Sequence, residues 1–360
     1  MLTAIIFILV IGVLVLVHEF GHFISAKRAG MKVEEFGFGF PPRLYGWRKG
    51  ETVYSINWIP FGGFVKILGE DSDEHGPRSF AAGSFGNKLL VLIAGVGMNL
   101  LLAAVLLVVV NFFGLRIGLV EGDTGHARGL EVQILGVSTG SPAAAAGLQP
   151  LDTIAGYKDS NVSIPISSTQ QVQDVVSANL DRPVIFEIKR GSSIVELNVT
   201  PRSNHPPGQG ALGISLALTG VVSYPWYEAI WRGVFDMVLL TVNTAAGYYA
   251  LLKSLLVHGT LIAEVSGPIG IASLTGQAAR VGFNYLLQFV AMISVNLAVL
   301  NIIPFPALDG GRILLLIVDK LKGSPVHKKG EAMLNILGFY LLILLMVYVT
   351  YKDISKFFIK

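Results

Sequence analysis

Long apolar runs alternate with shorter mixed stretches along this chain of 360 residues. A helix needs about 20 consecutive apolar residues to cross a bilayer. Four windows reach or approach that length: Leu2 to Ser25, Leu89 to Gly114, Tyr285 to Phe305 and Met333 to Tyr351. A fifth, Val234 to Val257, is interrupted by Asp236, Asn243 and Lys253, and Trp226, Tyr227 and Trp231 precede it. That mixture predicts an amphipathic helix lying at the membrane interface rather than a crossing.

Elsewhere the periodicity shortens. Between the first two windows, Thr52 to Trp58 and Phe64 to Leu68 are rich in strand-forming residues and are joined through Ile59-Pro60-Phe61-Gly62-Gly63. They predict an apolar hairpin beside the membrane, and Gly37 to Pro42 before it reads as a tight loop. Such a hairpin enters a bilayer only where its backbone groups are paired or face a cavity. An unpaired edge there offers a place for an extended substrate to add as a strand. From Gly114 to about Leu218 the chain is soluble in character. Strands are expected at Val132 to Val137, Val184 to Arg190, Ile194 to Pro201 and Gly210 to Leu216, with helices after Ser141-Pro142 and near Ser168 to Ala178.

Composition narrows the class. The chain is 52% hydrophobic and 14% charged, as a polytopic membrane protein with a modest soluble part would be. The net charge of +3 gives no footing for nucleic-acid binding. With no cysteine, disulfides, thiolate metal ligands and a cysteine nucleophile are excluded. The first apolar run has no basic residues ahead of it and no small-residue cleavage site, so it reads as a retained anchor. Lys27, Arg28, Lys32, Arg43, Arg48 and Lys49 follow it, which orients its C-terminal end toward the cytoplasm.

The chemistry lies at that end. His18 and His22 are i and i+4 on one helix face, so both imidazoles can ligate a single Zn²⁺. Glu19 beside them can take a proton from a water acidified by the metal and pass it to a leaving amine. A third ligand is expected from Asp309, which follows two helix-breaking prolines, Pro304 and Pro306, at the end of the third window. Asp236 and Asp319 are rivals, the first near the far interface and the second in a basic stretch with Lys320 and Lys322. With four crossings Asp309 returns to the depth of the histidines. Counting Val234 to Val257 as a crossing would send it to the opposite side. Asn99, in the second window, carries an amide that must find partners in apolar surroundings.

His18-Glu19-Phe20-Gly21-His22 and Asn301-x-x-Pro304-x-Pro306-x-x-Asp309-Gly310 together resemble the two signature motifs of the site-2 protease family. Ser141-Pro142-Ala143 with Ala146-Gly147-Leu148-Gln149-Pro150-Leu151-Asp152 is similar to a phrase of bacterial PDZ domains, except that Leu151 stands where that phrase has glycine. The whole chain therefore looks like the PDZ-containing, RseP-type bacterial branch of the family. The resemblance implies a four-span helical protein of the bacterial inner membrane: residues 1–26, 89–114, 284–312 and 332–352 cross. A cytoplasmic-side loop with a membrane-associated β-hairpin fills 27–88, and an extracytoplasmic α+β PDZ domain fills 115–218. An interfacial helix and linker occupy 219–283, and a cytoplasmic loop occupies 313–331.

It also implies zinc on His18, His22 and Asp309, with Glu19 as the catalytic acid and base. Substrate would be held by Asn99, Asn296, Asn301, Pro304 and Pro306 and by Gly62, Gly63, Phe64 and Val65. The implied substrates are single-span membrane proteins, including anti-sigma factors after a first cut and remnant signal peptides. The PDZ module either excludes bulky ectodomains or binds peptide C-termini, and the residues leave both open. Two other classes compete: an inactive PDZ-bearing scaffold, and a transporter, for which no inverted repeat is visible.

Overall fold

The computed structural model describes residues 2–70, 76–119, 127–160, 162–191, 193–206, 208–259, 267–323 and 328–358. In chain order the elements are α1 (Leu2–Arg28), β1 (Val33–Lys49), β2 (Thr52–Ile67), α2 (Phe85–Phe113), β3 (Leu115–Leu119), β4 (Arg128–Val137), α3 (Pro142–Ala145), β5 (Thr153–Asp159), β6 (Val162–Pro165) and α4 (Thr169–Ala178). They continue with β7 (Val184–Arg190), β8 (Ser193–Val199), β9 (Ile214–Val222), α5 (Trp226–His258), α6 (Pro268–Val281), α7 (Phe283–Ile302), α8 (Asp309–Lys322) and α9 (Lys328–Phe358). They form two compact units, one of Met1–Leu107, Gly233–Gly276 and Gln288–Lys360, the other of Val108–Arg232 and Gln277–Leu287.

In the first unit the apolar run of α1 ends at Lys27 and Arg28, cations that suit a helix C-terminus. A Schellman turn closes it: Gly30 is left-handed at φ 75, the Met31 N–H reaches the Ala26 carbonyl at 3.0 Å, and the Gly30 N–H reaches Lys27 at 3.1 Å. The buried face of α1 runs through Val10, Leu14, His18, Gly21, His22 and Ser25, so the histidines look inward. A second cluster, Ala103, Leu107, Ala291, Val295 and Val299, joins α2 to α7, with Met237, Leu240 and Tyr248 of α5 packed against it.

Five helices among the described residues are long and apolar enough to cross a membrane: α1, α2, α5, α7 and Ala332–Ser355 within α9. The sequence pattern set α5 apart because of its charges, yet it too meets that measure. The chain is thus a helical membrane protein with a β-rich domain. The Asn284 side chain donates to the Gly114 carbonyl at 2.9 Å, so α7 starts where α2 ends and runs back antiparallel to it.

The hairpin is larger than the sequence pattern suggested. Gly37 to Pro42, expected to be a loop, continues within β1 as an irregular strand with Gly39 at φ 78. Phe36 faces both Val65 and Tyr54, and Gly37 faces both Phe64 and Ser55, while Tyr45 to Lys49 pair with Ile56 back to Thr52. The two strands therefore make four rows, antiparallel except in the middle, where Glu35 to Phe38 and Val53 to Ile56 run side by side in the same direction, with Gly63 to Ile67 on one outer edge. The sheet lies along α1. A Cβ at Gly12 would touch the Phe38 ring at 3.1 Å, and one at Gly63 would touch Glu19 Cγ at 3.4 Å. Gly12 and Glu19 are seven residues apart, about 10 Å of helix.

Among the described residues the second unit holds a seven-stranded sheet ordered β3-β9-β4-β5-β7-β8, with β6 paired to β5. Alternation accounts for it: Val184, Phe186 and Ile188 of β7 point inward onto Val132, Ile134 and Ile154. Ser141 caps α3 through the Ala144 N–H, and Ser168 caps α4 through the Gln171 N–H. The closing strand extends to Val222 and pairs with both β3 and β4. Buried Asp152 accepts from Arg190 Nε at 2.7 Å and Nη2 at 2.6 Å and from the Gln149 N–H at 2.9 Å. Leu151 beside it is left-handed at φ 71.

Candidate metal centre

His18, His22 and Asp309, 291 residues apart at the extreme, offer ligand atoms within 4.8 Å of one another. Three features of the fold bring this about. The helical spacing sets both imidazoles on one face of α1, their rings edge to face with centroids 4.8 Å apart. The antiparallel run of α7 then returns the chain to their depth. Finally, the break after Ile302 turns it inward so that Asp309 opens α8.

Two prolines in that break and two glycines in the first turn of α8 allow the close fold. Pro304 and Pro306 have no amide hydrogen to satisfy. The Ala307 N–H, at a left-handed residue, donates to Asn335 Oδ1 of α9 at 3.2 Å. A Cβ at Gly310 would fall 2.3 Å from both the Ile302 and Ile303 carbonyls, and one at Gly311 would fall 2.3 Å from the Phe305 carbonyl. Gly338 of α9 makes the same room for the Pro306 carbonyl at 2.6 Å. Only bare backbone lets the chain fold so closely over the first turn of α8. Sequence reading missed Asn335 and Gly338, since neither belongs to a chemical motif.

The spacing of the trio tests whether zinc fits. Tetrahedral ligands about 2.0–2.2 Å from a zinc ion stand about 3.4 Å apart. Here His18 Nε2 and His22 Nε2 are 3.2 Å apart, and Asp309 Oδ2 lies 3.1 Å from the first and 3.5 Å from the second. The His22 Nδ1–H donates to the Val91 carbonyl at 2.8 Å, which leaves a lone pair on its Nε2. The short His–Asp contacts do not amount to hydrogen bonds, for Asp309 Oδ2 is buried without a partner. Three ligand atoms converging on one point suit a divalent cation, and the donor set of two imidazoles and a carboxylate suits zinc.

The walls are close. Helix α2 runs against the pair so tightly that a Cβ at Gly95 would lie 2.4 Å from His22 Nε2, and one at Gly21 would lie 2.3 Å from the Ala94 carbonyl. His18 is 8% exposed and His22 9%, so neither ring faces lipid. Glu19 is half-buried between the histidines' helix and the outer sheet edge, close to the backbone of Val65. Arg312, one turn beyond Asp309, is ion-paired with Glu70 just past β2.

Other expected site residues are placed differently. Asn99 is fully buried with Nδ2 at 3.3 Å from His18 Nδ1. Asn296 is engaged with the Tyr248 hydroxyl at 3.0 Å and the Met292 carbonyl at 2.8 Å. Asn301 is half-buried one residue before the break. Gly62 sits at φ 105 against the Phe40 ring, and Phe64 packs on Gly37, so of the four hairpin positions Gly63 and Val65 adjoin Glu19.

Comparison with known proteins is consistent along the whole chain. The model of "Peptidase family M50" matches residues 6–345. A putative zinc metalloprotease of Clostridium perfringens is 38% identical over 348 residues, 96% of this chain and 97% of that one. The zinc metalloprotease RasP of Geobacillus kaustophilus is 29% identical over 435 residues, 98% of each chain. The regulator of sigma-W protease RasP of Bacillus subtilis is 27% identical over 442 residues, 99% of each.

Proposed function

The chain belongs to peptidase family M50, the site-2 protease family, and from that premise we propose that this zinc metalloprotease cuts single-span membrane proteins within or near their transmembrane segments. The observation that carries the reading is the meeting of His18 Nε2, His22 Nε2 and Asp309 Oδ2 at 3.1–3.5 Å beside Glu19. When bound there, zinc supplies Lewis acidity that polarises the scissile carbonyl and makes water a better acid.

The chain's own residues do the rest. Glu19 takes one proton from the attacking water as its oxygen bonds to the carbonyl carbon. It then delivers that proton to the amide nitrogen as the C–N bond breaks, leaving a carboxylic acid, whose remaining proton passes to the amine or to water, and an amine. A transmembrane helix hides its carbonyls in i to i−4 bonds and must unwind first. The outer edge from Gly63 to Ile67 offers ladder partners to the unwound segment, one residue from the acid. Gly62, Phe64, Asn301, Pro304 and Pro306 line its path, and Asn296 joins them through its link to Tyr248.

Four helices, α1, α2, α7 and α9, carry the crossings. Because α7 begins where α2 ends, α5 and the segment after it return to the face they leave. Residues 115–222 act as a PDZ module on the extracytoplasmic side, screening ectodomains or holding new C-termini, in a multi-pass protein of the bacterial inner membrane. The substrates are anti-sigma factors after a first cut and remnant signal peptides; a sigma-W regulator among the relatives supports that class. The test is Glu19→Gln in reconstituted protein. Zinc content should stay at the wild-type level, while cleavage of a single-span model substrate falls at least 10²-fold, the usual share of general acid–base catalysis. Turnover at the wild-type rate would end the reading.

A further inference from the structure

The buried amide of Asn99 contains an unresolved pairing. Its Nδ2 lies 3.3 Å from His18 Nδ1, while its Oδ1, equally buried, has no partner. To ligate zinc through Nε2, neutral His18 carries its proton on Nδ1, and that N–H then needs an acceptor. The two ends of a carboxamide are nearly interchangeable in shape and exchange places by a half-turn about one bond. A half-turn of Asn99 pairs the orphaned oxygen with the Nδ1 proton and leaves the Nε2 lone pair aimed at the site.

The rest of α2 is arranged to the same end. Val91, Gly95 and Asn99 are four apart and form one stripe. The Val91 carbonyl fixes His22 Nδ1 at 2.8 Å, bare Gly95 admits both rings, and Asn99 reaches His18 Nδ1. Ser294 of α7 donates to the Asn99 carbonyl at 2.7 Å and holds this turn of α2 in place. Nδ1 is on the side of the imidazole ring away from Nε2, and Asn99 is 0% exposed, so the amide faces away from substrate.

We infer that Asn99 is a positioning residue for the metal centre: through its side-chain oxygen it selects the His18 tautomer that binds zinc. This replaces the cleft-lining role expected of it, and it rests on the proposed use of His18, His22 and Asp309 as zinc ligands.

Full-length protein in nanodiscs tests this. Zinc affinity is measured by chelator competition in the Glu19→Gln background, so that catalysis does not enter. Asn99→Leu, similar in size but without an acceptor, should bind zinc 10–100-fold more weakly, the usual cost of losing such an outer partner. Asn99→Asp, which keeps the acceptor, should bind zinc at least as tightly as Asn99. With active enzyme at saturating zinc, KM of the Asp variant should stay within twofold of wild type. Equal zinc affinity in the Leu and Asn forms overturns the inference, as does a raised KM with unchanged zinc affinity. Should the Leu variant not fold, Asn99→Ala against Asn99→Asp makes the same comparison, and equal weakening in both overturns it. If Asp309→Ala removes no zinc, the parent assignment fails first, which is a different result from any of these.

Discussion

Gly95 and Gly97 lie two residues apart in one helix and share the same local sequence, yet they should respond to alanine with opposite signs. A methyl at Gly97 meets nothing within 4 Å. There the substitution should follow helix propensity alone and stabilise the protein by about 1 kcal/mol. A methyl at Gly95 would sit 2.4 Å from His22 Nε2, 2.7 Å from His22 Cε1 and 2.8 Å from His18 Cε1. Non-bonded heavy atoms rest about 3.5–4.0 Å apart, so the overlap is about 1 Å. Neither side yields easily: His22 is tied to the Val91 carbonyl, and Gly21 already lets the Ala94 carbonyl come as near as backbone allows.

Either the imidazole swings or α2 withdraws, and both widen the 3.2 Å gap between the two ligand nitrogens. Misplacement of a catalytic group by about 1 Å costs about 10²-fold in rate. Zinc retained after dialysis against a chelator, and cleavage of a single-span substrate in liposomes, read the two consequences separately. Gly95→Ala should lose both, and Gly97→Ala neither. Wild-type zinc and turnover in Gly95→Ala would refute the packing geometry on which the centre depends.

Two further outcomes can be checked by unfolding. Leu151→Gly should raise stability by about 0.5–1 kcal/mol, since a left-handed leucine costs about 1–2 kcal/mol and glycine gives part of that back in entropy; an unchanged or lowered Tm would count against strain there. Glu70→Ala and Arg312→Ala should be non-additive by about 1 kcal/mol in a double-mutant cycle, because the half-buried pair joins the end of β2 to the helix that carries Asp309; strict additivity would show that the link carries no energy.

The legibility of the site in the sequence followed chain distance. His18, Glu19 and His22 could be read directly, since a helix converts a spacing of four into a shared face whatever surrounds it. The same holds for the alternation in β7 and for the serine caps of α3 and α4. The hairpin was only half legible: β1 mixes Gly and Pro into its run, and what makes it strand is pairing on both sides with separate parts of β2. The charges of α5 suggested an interfacial helix, whereas length and apolar content also qualify it as a span.

Asparagine positions alone could not distinguish Asn99, which faces His18, from Asn296, which faces a tyrosine of α5. The sequence by itself determined the apolar segments, the reactive trio and the acid expected to join it, because periodicity and spacing act within a few turns of one element. Only the tertiary structure decided that Val91, Gly95 and Asn99 would back the histidines, and that bare glycines would let the break close over Asp309. Those roles depend on contacts of ångström tolerance between helices far apart in the chain, and no local pattern encodes which atoms will meet.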